Sequence, residues 1–270
     1  MARFDVTMSS YSLFRDVEVT VIVPSMTIVD MMNANGGPMH HVAKEKFPVL
    51  FLLHGFGNNR AGWLNYTNVE MYAEERHIAI VTISAENKGY MDIRGDKFFR
   101  FISEELPEFV RMMFPISERP EDTYIAGLSM GGFGTLIHGL TCPENYCAIG
   151  PLSAAPSMTR SMLETYGRGP DAKPEDPNDN ITVDALESAR KNMELGKKFP
   201  KVYMACGKND FLYENNVKTR DALKELGLDV TWDELEGYAH EWRFWDIEIE
   251  KFLDWIPRTD YWATVPRTGV

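Results

Sequence analysis

The sequence has few cysteines, few basic residues and no long apolar run. Its 270 residues contain only three cysteines, Cys142, Cys147 and Cys206, an odd number without a CxxC pair. A disulfide framework or a cysteine-based zinc site is therefore not expected. Lysine and arginine total 28 against 40 aspartates and glutamates, which gives a formal net charge of -12. This excess of negative charge argues against binding to nucleic acid or to an anionic membrane surface.

No apolar segment approaches the roughly 20 residues needed to span a bilayer. The first ten residues also lack the apolar core of a signal peptide. We therefore expect a cytoplasmic protein, or a secreted one only if a leader precedes this sequence. The adjacent His40 and His41 have no carboxylate or cysteine cluster at ligand spacing beside them, so no metal site is predicted.

Strand-like and helix-like segments alternate along the chain. Strand patterns cover 15–23, 48–53, 77–84, 123–126, 147–152, 201–206 and 230–236, and helical periodicity covers 68–75, 96–113, 132–140, 214–226 and 241–255. The alternation predicts one α/β domain over residues 1–270, with a mostly parallel central sheet and helices on both faces. Pro107 predicts a kink in its helix. Residues 157–199 interrupt the order, carry a polar helix over 183–195, and are predicted to form a small cap over the site.

The most informative motif is Gly127-Leu128-Ser129-Met130-Gly131, between the apolar segment 123–126 and a helical pattern. In this context Gly-x-Ser-x-Gly is a nucleophile elbow, a tight strand-to-helix turn that exposes the serine above the sheet. The glycines keep Cβ atoms out of the crowded turn. A glycine-rich turn with an incidental serine is the alternative, but the flanking strand and helix favour a nucleophile. The elbow belongs to the α/β-hydrolase fold.

A serine nucleophile needs a histidine base, and in this fold the histidine comes last, after a late strand. His240 follows the strand pattern 230–236 and is the only histidine after Ser129 outside the elbow helix. His138 lies within that helix, too close in sequence to turn back onto Ser129. We therefore predict that His240 is the base.

The histidine in turn needs a carboxylate that orients it. Asp210 follows the strand pattern 201–206, at the carboxyl edge of the predicted sheet, where catalytic groups collect. The other acids in this part of the chain flank a strand, lie in one or begin a helix: Asp229, Asp233 and Glu214. Asp210 is the predicted acid.

The oxyanion of an acyl-transfer intermediate needs two backbone N–H donors. One is supplied by the residue after the nucleophile, Met130. The other comes from an earlier loop, and His54-Gly55-Phe56-Gly57, directly after the strand pattern 48–53, has the form of that loop. Phe56 N–H is the predicted second donor, and a plain turn is the alternative.

These motifs resemble the esterase D-like branch of the α/β-hydrolases. Bacterial tributyrin esterases are closest in appearance, with feruloyl and acetylxylan esterases and S-formylglutathione hydrolases as relatives. The similarity covers most of the chain and is carried by Phe51 to Gly55, Trp63 to Glu70, Glu104 to Pro107, Ile125 to Gly132, Cys206 to Asp210 and His240 to Trp242.

The resemblance implies the same triad and oxyanion donors, no cofactor, and a homo-oligomer, either dimer or tetramer. The aromatic tail 255–262 is a candidate contributor to that assembly, and ordinary packing is the alternative. S-formylglutathione hydrolases usually carry Leu-Thr-Cys after the His-Gly pair, whereas this chain has Phe56-Gly57-Asn58. That departure argues against their substrate.

The sequence thus predicts a serine carboxylesterase that hydrolyses short-chain acyl esters through Ser129, His240, Asp210 and an acyl-enzyme. Acetylated or feruloylated carbohydrate is a candidate substrate. The alternatives are an acyltransferase to a sugar or alcohol, an S-formylglutathione hydrolase, and a non-catalytic binding protein on the same fold. Candidate pocket residues are the aromatics Trp63, Tyr66, Phe211 and Trp242, although aromatics are more often core residues.

Overall fold

The computed structural model describes residues 1–34, 37, 39–93, 95–155 and 184–267. Its main feature is one mixed sheet of eight strands. In sheet order these are β1 (Ala2–Ser10), β2 (Arg15–Val23), β4 (Ala79–Ile83), β3 (Val49–Leu53), β7 (Thr123–Leu128), β8 (Ala148–Leu152), β9 (Lys201–Gly207) and β10 (Val230–Leu235). A separate ribbon pairs β5 (Asp92–Ile93) with β6 (Asp96–Lys97).

The pairing confirms the prediction of a mostly parallel sheet. The pairs β1–β2 and β2–β4 are antiparallel, and the other five pairs are parallel. All seven predicted strands are present. The eighth, β1, was not predicted because it is an edge strand with mostly exposed or half-buried side chains. Its sequence therefore has neither the unbroken apolar run of a central strand nor a regular alternation of apolar and polar residues.

Helices cover both faces of the sheet, as predicted. The described helices are α1 (Ile28–Asn33), α2 (Gly62–Tyr66), α3 (Val69–Glu75), α4 (Phe98–Arg100), α5 (Leu106–Met113), α6 (Met130–Thr141), α7 (Ala185–Glu194), α8 (Tyr213–Glu225) and α9 (Trp242–Trp255). In β3, Val49, Phe51 and Leu53 join one buried cluster with side chains of α6, while Leu50 and Leu52 join a second with α3 and α9. Among the described residues, no helix is long and apolar enough to cross a membrane.

The helical span around Pro107 is irregular where the sequence predicts a kink. A π-helical segment, Phe101–Glu105, separates α4 from α5, and the N–H of Leu106 donates to the carbonyl of Phe101. Pro107 follows as the second residue of α5. Proline has no N–H and so cannot donate to a carbonyl of the preceding turn. The π-helical segment therefore lies next to a position where one helical hydrogen bond is absent in any case.

Most of the predicted cap, 157–199, lies outside the described residues, and its position over the site stays a prediction. Its last part contains α7, which packs against α6. Asn192 Nδ2 donates to the carbonyls of Leu140 (2.7 Å) and Thr141 (3.0 Å) in the last turn of α6. That is the end of α6 remote from Ser129.

Candidate active site

Four polar side chains follow four neighbouring strands at one edge of the sheet. Ser129 follows β7, Ser153 follows β8, Asp210 follows β9 by three residues and His240 follows β10 by five. In the register of the sheet, the ends of these strands lie side by side through the pairs Leu128–Leu152, Leu152–Ala205 and Leu235–Gly207. The carboxyl edge of a parallel sheet is where ligands bind in open α/β folds.

Ser129 has the strained backbone that a nucleophile elbow requires. Its φ is 54° and its ψ is -113°, outside the regions that L residues favour, and it directly precedes α6. Both flanking glycines are sterically required. A Cβ at Gly127 would lie 2.5 Å from the carbonyl oxygen of Gly131, and a Cβ at Gly131 would lie 2.3 Å from the carbonyl oxygen of Leu53.

Asp210 and His240 are joined by a hydrogen bond of 2.8 Å between Nδ1 of the imidazole and Oδ2 of the carboxylate. Because a carboxylate accepts, Nδ1 carries the proton, and Nε2 of the neutral ring keeps its lone pair. The other oxygen, Oδ1, accepts the backbone N–H of Leu212 at 2.8 Å. The Asp210 side chain is fully buried, whereas His240 keeps 21% of its side chain exposed.

The Asp210 carboxyl stays ionised at neutral pH despite its burial. Burial raises its pKa, but the hydrogen bonds from His240 and the Leu212 backbone, the charge of His240 and the influence of Ser153 outweigh that effect and hold the pKa below its ordinary value. A negative acceptor is therefore kept beside Nδ1 of His240.

The loop predicted to supply an oxyanion donor lies directly against the elbow. A Cβ at Gly55 would lie 2.4 Å from Leu128 Cδ1 and 3.6 Å from Ser129 Cβ, so only glycine fits there. The neighbouring His54 donates from Nδ1 to the carbonyl of Gly55 (2.7 Å) and accepts the N–H of Ala85 at Nε2 (2.9 Å). Burial lowers the pKa of His54 to about 4, against the opposing effect of the bond to Gly55. The ring is neutral, and its two partners fix its tautomer.

The bond from His54 also sets the direction of the Phe56 N–H. Gly55 C=O and Phe56 N–H belong to one peptide unit, and in a trans peptide these two groups point in opposite directions. All peptide bonds in the described residues are trans. By holding the Gly55 carbonyl, His54 therefore aims the Phe56 N–H away from itself.

A second loop, after β4, forms hydrogen bonds to the segment 54–57. Tyr90 Oη donates to the carbonyl of His54 (2.7 Å), and Asn87 Oδ1 accepts the N–H of Gly57 (2.7 Å). Asn87 and Tyr90 have φ values of 58° and 61°, so the loop keeps non-glycine residues in the left-handed region. Sequence reasoning missed these supports, because residues 85–90 match no catalytic motif.

Met130 is the first residue of α6, and its side chain is buried in the core. The first N–H groups of a helix have no partner within the helix and carry partial positive charge. The predicted donor Met130 N–H therefore belongs to a helix terminus suited to a developing negative charge.

The four candidate pocket aromatics differ in exposure, and Trp242 is half-buried. Phe211 is 75% exposed, with its ring centroid 4.7 Å from that of His240. Tyr66 is 60% exposed and stacks on Trp242 at 5.1 Å. Trp63, by contrast, is buried and donates its indole N–H to the carbonyl of Leu53 (2.9 Å), which makes it a core residue beneath the oxyanion loop.

A large cavity of about 1060 Å³ lies elsewhere, at the amino edge of the sheet. Its lining includes Val23 at the end of β2, Phe47 before β3 and His77 before β4. None of the four polar residues at the carboxyl edge lines it. The cavity is therefore separate from the candidate site.

Ser153 is the residue at the carboxyl edge that sequence reasoning did not identify. It is fully buried and accepts the indole N–H of Trp245 at 3.1 Å. The rule that led to Asp210, a polar residue just after a buried strand, applies equally to Ser153 after β8. That signal was available in the sequence.

Comparison with known proteins gives a family and relatives. The sequence profile of the family described as "Putative esterase" matches residues 30–247, a range that includes Ser129, Asp210 and His240. An acetyl esterase of Caldicellulosiruptor saccharolyticus is 32% identical over 235 residues, which cover 80% of this chain and 86% of that protein.

Solved structures share the fold over nearly the whole chain. The fluorophosphonate-binding serine hydrolase F of Staphylococcus aureus superposes with a TM-score of 0.77 at 24% identity, over 94% of this chain and 97% of that one. An S-formylglutathione hydrolase of the same organism has a TM-score of 0.75 at 25% identity, over 94% and 98% of the two chains. These similarities confirm the predicted α/β-hydrolase fold.

Proposed function

The chain belongs to the family described as "Putative esterase" and is a carboxylic ester hydrolase; from that premise we propose that Ser129, His240 and Asp210 form its catalytic triad. The observation that carries the proposal is the 2.8 Å bond between His240 Nδ1 and the buried Asp210 carboxylate. It leaves Nε2 as the acceptor for a serine proton. The strained Ser129 follows β7, with β8 between it and β9, at the same edge of the sheet.

In the proposed reaction, Nε2 of His240 takes the Ser129 proton as Oγ attacks the acyl carbon. Asp210 keeps the ring in the required tautomer and stabilises the imidazolium. His240 then returns the proton to the leaving alcohol, and an acyl-Ser129 ester remains. Water, deprotonated by the same Nε2, attacks this ester, and the carboxylic acid leaves as Ser129 is protonated again.

The oxyanion of each tetrahedral intermediate would be bound by the N–H groups of Met130 and Phe56. Two features support this assignment: Met130 begins a helix directly after the nucleophile, and Gly55 packs against the nucleophile itself. Preorganised donors of this kind act when charge develops on the oxygen and need not reorganise.

We propose short-chain acyl esters as substrates, with acetyl groups foremost because the relative at 32% identity is an acetyl esterase. The exposed aromatic rings of Phe211 and Tyr66 would contact the alcohol part, whether sugar or aryl. An S-formylglutathione hydrolase is the second candidate, favoured by the similarity to the enzyme of that name at 25% identity. The homo-oligomer implied by the family resemblance stays a prediction.

Triad variants give the first test. With p-nitrophenyl acetate, we expect Ser129→Ala and His240→Ala to lower kcat by about 10⁵-fold or more. We expect Asp210→Asn to lower it by about 10⁴-fold, because an amide can donate to Nδ1 and so select the wrong tautomer. Steady-state kinetics measure these changes. The matched control Asp229→Asn, at an exposed acid of the same region, should keep wild-type kcat, and a Ser129→Ala variant with wild-type turnover contradicts the proposed triad.

The role of His54 is tested by two amide substitutions. The Nδ2 of asparagine replaces Nδ1 of histidine as donor to the Gly55 carbonyl, whereas glutamine replaces only the distal acceptor for Ala85. We expect His54→Asn to stay within about 10-fold of the wild-type kcat. His54→Gln should lose about 10²-fold, the cost of one misaligned oxyanion donor. Because burial keeps His54 neutral above about pH 4, neither variant should alter the pH profile at neutral pH.

Thermal unfolding of both His54 variants provides the control for folding. If His54→Gln is as active as His54→Asn at equal stability, the ring does not direct the Phe56 N–H.

A substrate panel decides the acyl and alcohol preference. We expect kcat/KM for p-nitrophenyl esters to be highest for acetate to butyrate and to fall for longer chains. Acetylated xylan and methyl ferulate test the carbohydrate extension, and S-formylglutathione tests the second candidate. Adding a sugar acceptor and measuring transfer product against free acid distinguishes an acyltransferase. A preference for S-formylglutathione over all acetyl esters would exclude the acetyl esterase assignment.

A further inference from the structure

The turn that follows β8, here named the bridging turn (Ser153 to Ala155), is bonded to the nucleophile residue. Ser129 N–H donates to the carbonyl of Leu152, immediately before the turn, at 3.0 Å, and Ala155 N–H donates to the carbonyl of Ser129, also at 3.0 Å. These two backbone hydrogen bonds join Ser129 to the end of β8 and to the bridging turn.

The bridging turn is also bonded to the elements on either side of Asp210. Ser153 N–H donates to the carbonyl of Ala205 in β9 at 2.8 Å. Asn216 of α8 accepts the N–H of Ala154 and donates to its carbonyl, both at 2.9 Å. Since β9 precedes Asp210 and α8 follows it, the bridging turn holds the proposed acid and the proposed nucleophile in fixed positions relative to each other.

The Ser153 hydroxyl sits among polar groups of the site. Oγ accepts the indole N–H of Trp245 at 3.1 Å, and the Cys206 thiol lies at 3.9 Å, directed toward the same oxygen. Both neighbours are donors to Oγ, so the proton of the hydroxyl remains available for an acceptor. The Asp210 carboxylate is the candidate acceptor for that proton, and Ser153 is among the groups that lower the pKa of Asp210.

Trp245 connects the same hydroxyl to the base. Its ring packs edge-to-face with the His240 imidazole, with centroids 4.9 Å apart and planes at 88°, and it is 4% exposed. Ser153 is therefore linked to the base through the indole that it holds, and its hydroxyl proton is available to the acid. Ser153 also has a φ of 43°, a strained conformation for a residue other than glycine. Such strain is retained where the surrounding structure and the function require it.

We propose that Ser153 is a positioning residue for the Asp210–His240 pair, with its hydroxyl accepting from Trp245 and donating to Asp210. The hydroxyl orients the carboxylate, and the indole that it holds restricts the imidazole. Ser153 does not touch the reacting atoms. This inference rests on the proposed triad, and nothing in the family membership assigns the role.

The variants Ser153→Gly and Ser153→Ala separate positioning from folding. Both remove the hydroxyl, but glycine adopts a positive φ without strain. We therefore expect Ser153→Gly to have the higher Tm of the two variants. Both should lower kcat for p-nitrophenyl acetate by about 10- to 100-fold at unchanged KM, the cost of a small misplacement of catalytic groups. Ser12→Ala, at a buried serine near the β1–β2 turn, is the control and should keep wild-type kcat.

Two further measurements distinguish positioning from a purely structural role. Without the proposed Ser153 donor, the Asp210 carboxylate attracts the Nδ1 proton of His240 more strongly, so the acidic limb of kcat/KM should begin at higher pH. Trp245→Phe keeps a ring beside His240 but removes the N–H. Trp245→Phe should lower kcat. In the double variant with Ser153→Gly, the loss of kcat should be smaller than the product of the two separate losses, because both substitutions act through one hydroxyl.

A Ser153→Gly variant with wild-type kcat and an unshifted pH profile overturns the inference, as do fully additive losses in the double variant. Failure of the proposed triad gives a different result, because wild-type turnover would then persist in Ser129→Ala.

Discussion

The hydrogen bond from His240 Nδ1 to the buried Asp210 carboxylate is the interaction on which the proposed chemistry of this site depends. It fixes the tautomer of the imidazole and so leaves Nε2 able to accept a proton. A carboxylate deprived of water would ordinarily take up a proton. Here the donors around Asp210 keep its pKa low, so the acceptor remains charged. Burial also strengthens the bond, because little solvent competes for either partner.

Close packing of the backbone places Ser129, the proposed nucleophile, relative to this pair. Glycine is sterically required at positions 127 and 131, where any Cβ would overlap backbone atoms. Ser129 is bonded at its N–H to the last residue of β8 and at its carbonyl to the turn that follows. The predicted oxyanion loop is held by side-chain hydrogen bonds from His54 Nδ1 and Tyr90 Oη. The site thus consists of turns at one edge of the sheet, and hydrogen bonds join neighbouring turns. Electrostatic catalysis requires preorganisation of this kind.

Much of this arrangement could be predicted from the sequence, because the relevant signals are local. Central strands such as β3 and β7 are unbroken apolar runs, and the positions of Ser129, Asp210 and His240 follow from chain order and strand ends. The contacts of Ser153 and Tyr90 could not be predicted, since they join segments far apart in the chain through single hydroxyl groups. Trp63 shows a second limit of the sequence. It is a candidate pocket residue in the sequence, but in the structure it is buried and its indole N–H donates to the carbonyl of Leu53. Only its tertiary contacts reveal this.

The most direct test of the nucleophile is the location of a covalent adduct. A fluorophosphonate reacts with an activated serine, and peptide mass spectrometry identifies the modified residue. If Ser129 is activated by His240 and Asp210, the folded protein should carry one adduct, on Ser129. Labelling should be slowed strongly in Asp210→Asn and absent from protein unfolded before treatment. A folded, ester-hydrolysing protein whose adduct lies on another residue, or which forms none, would contradict the assignment of Ser129 as the nucleophile.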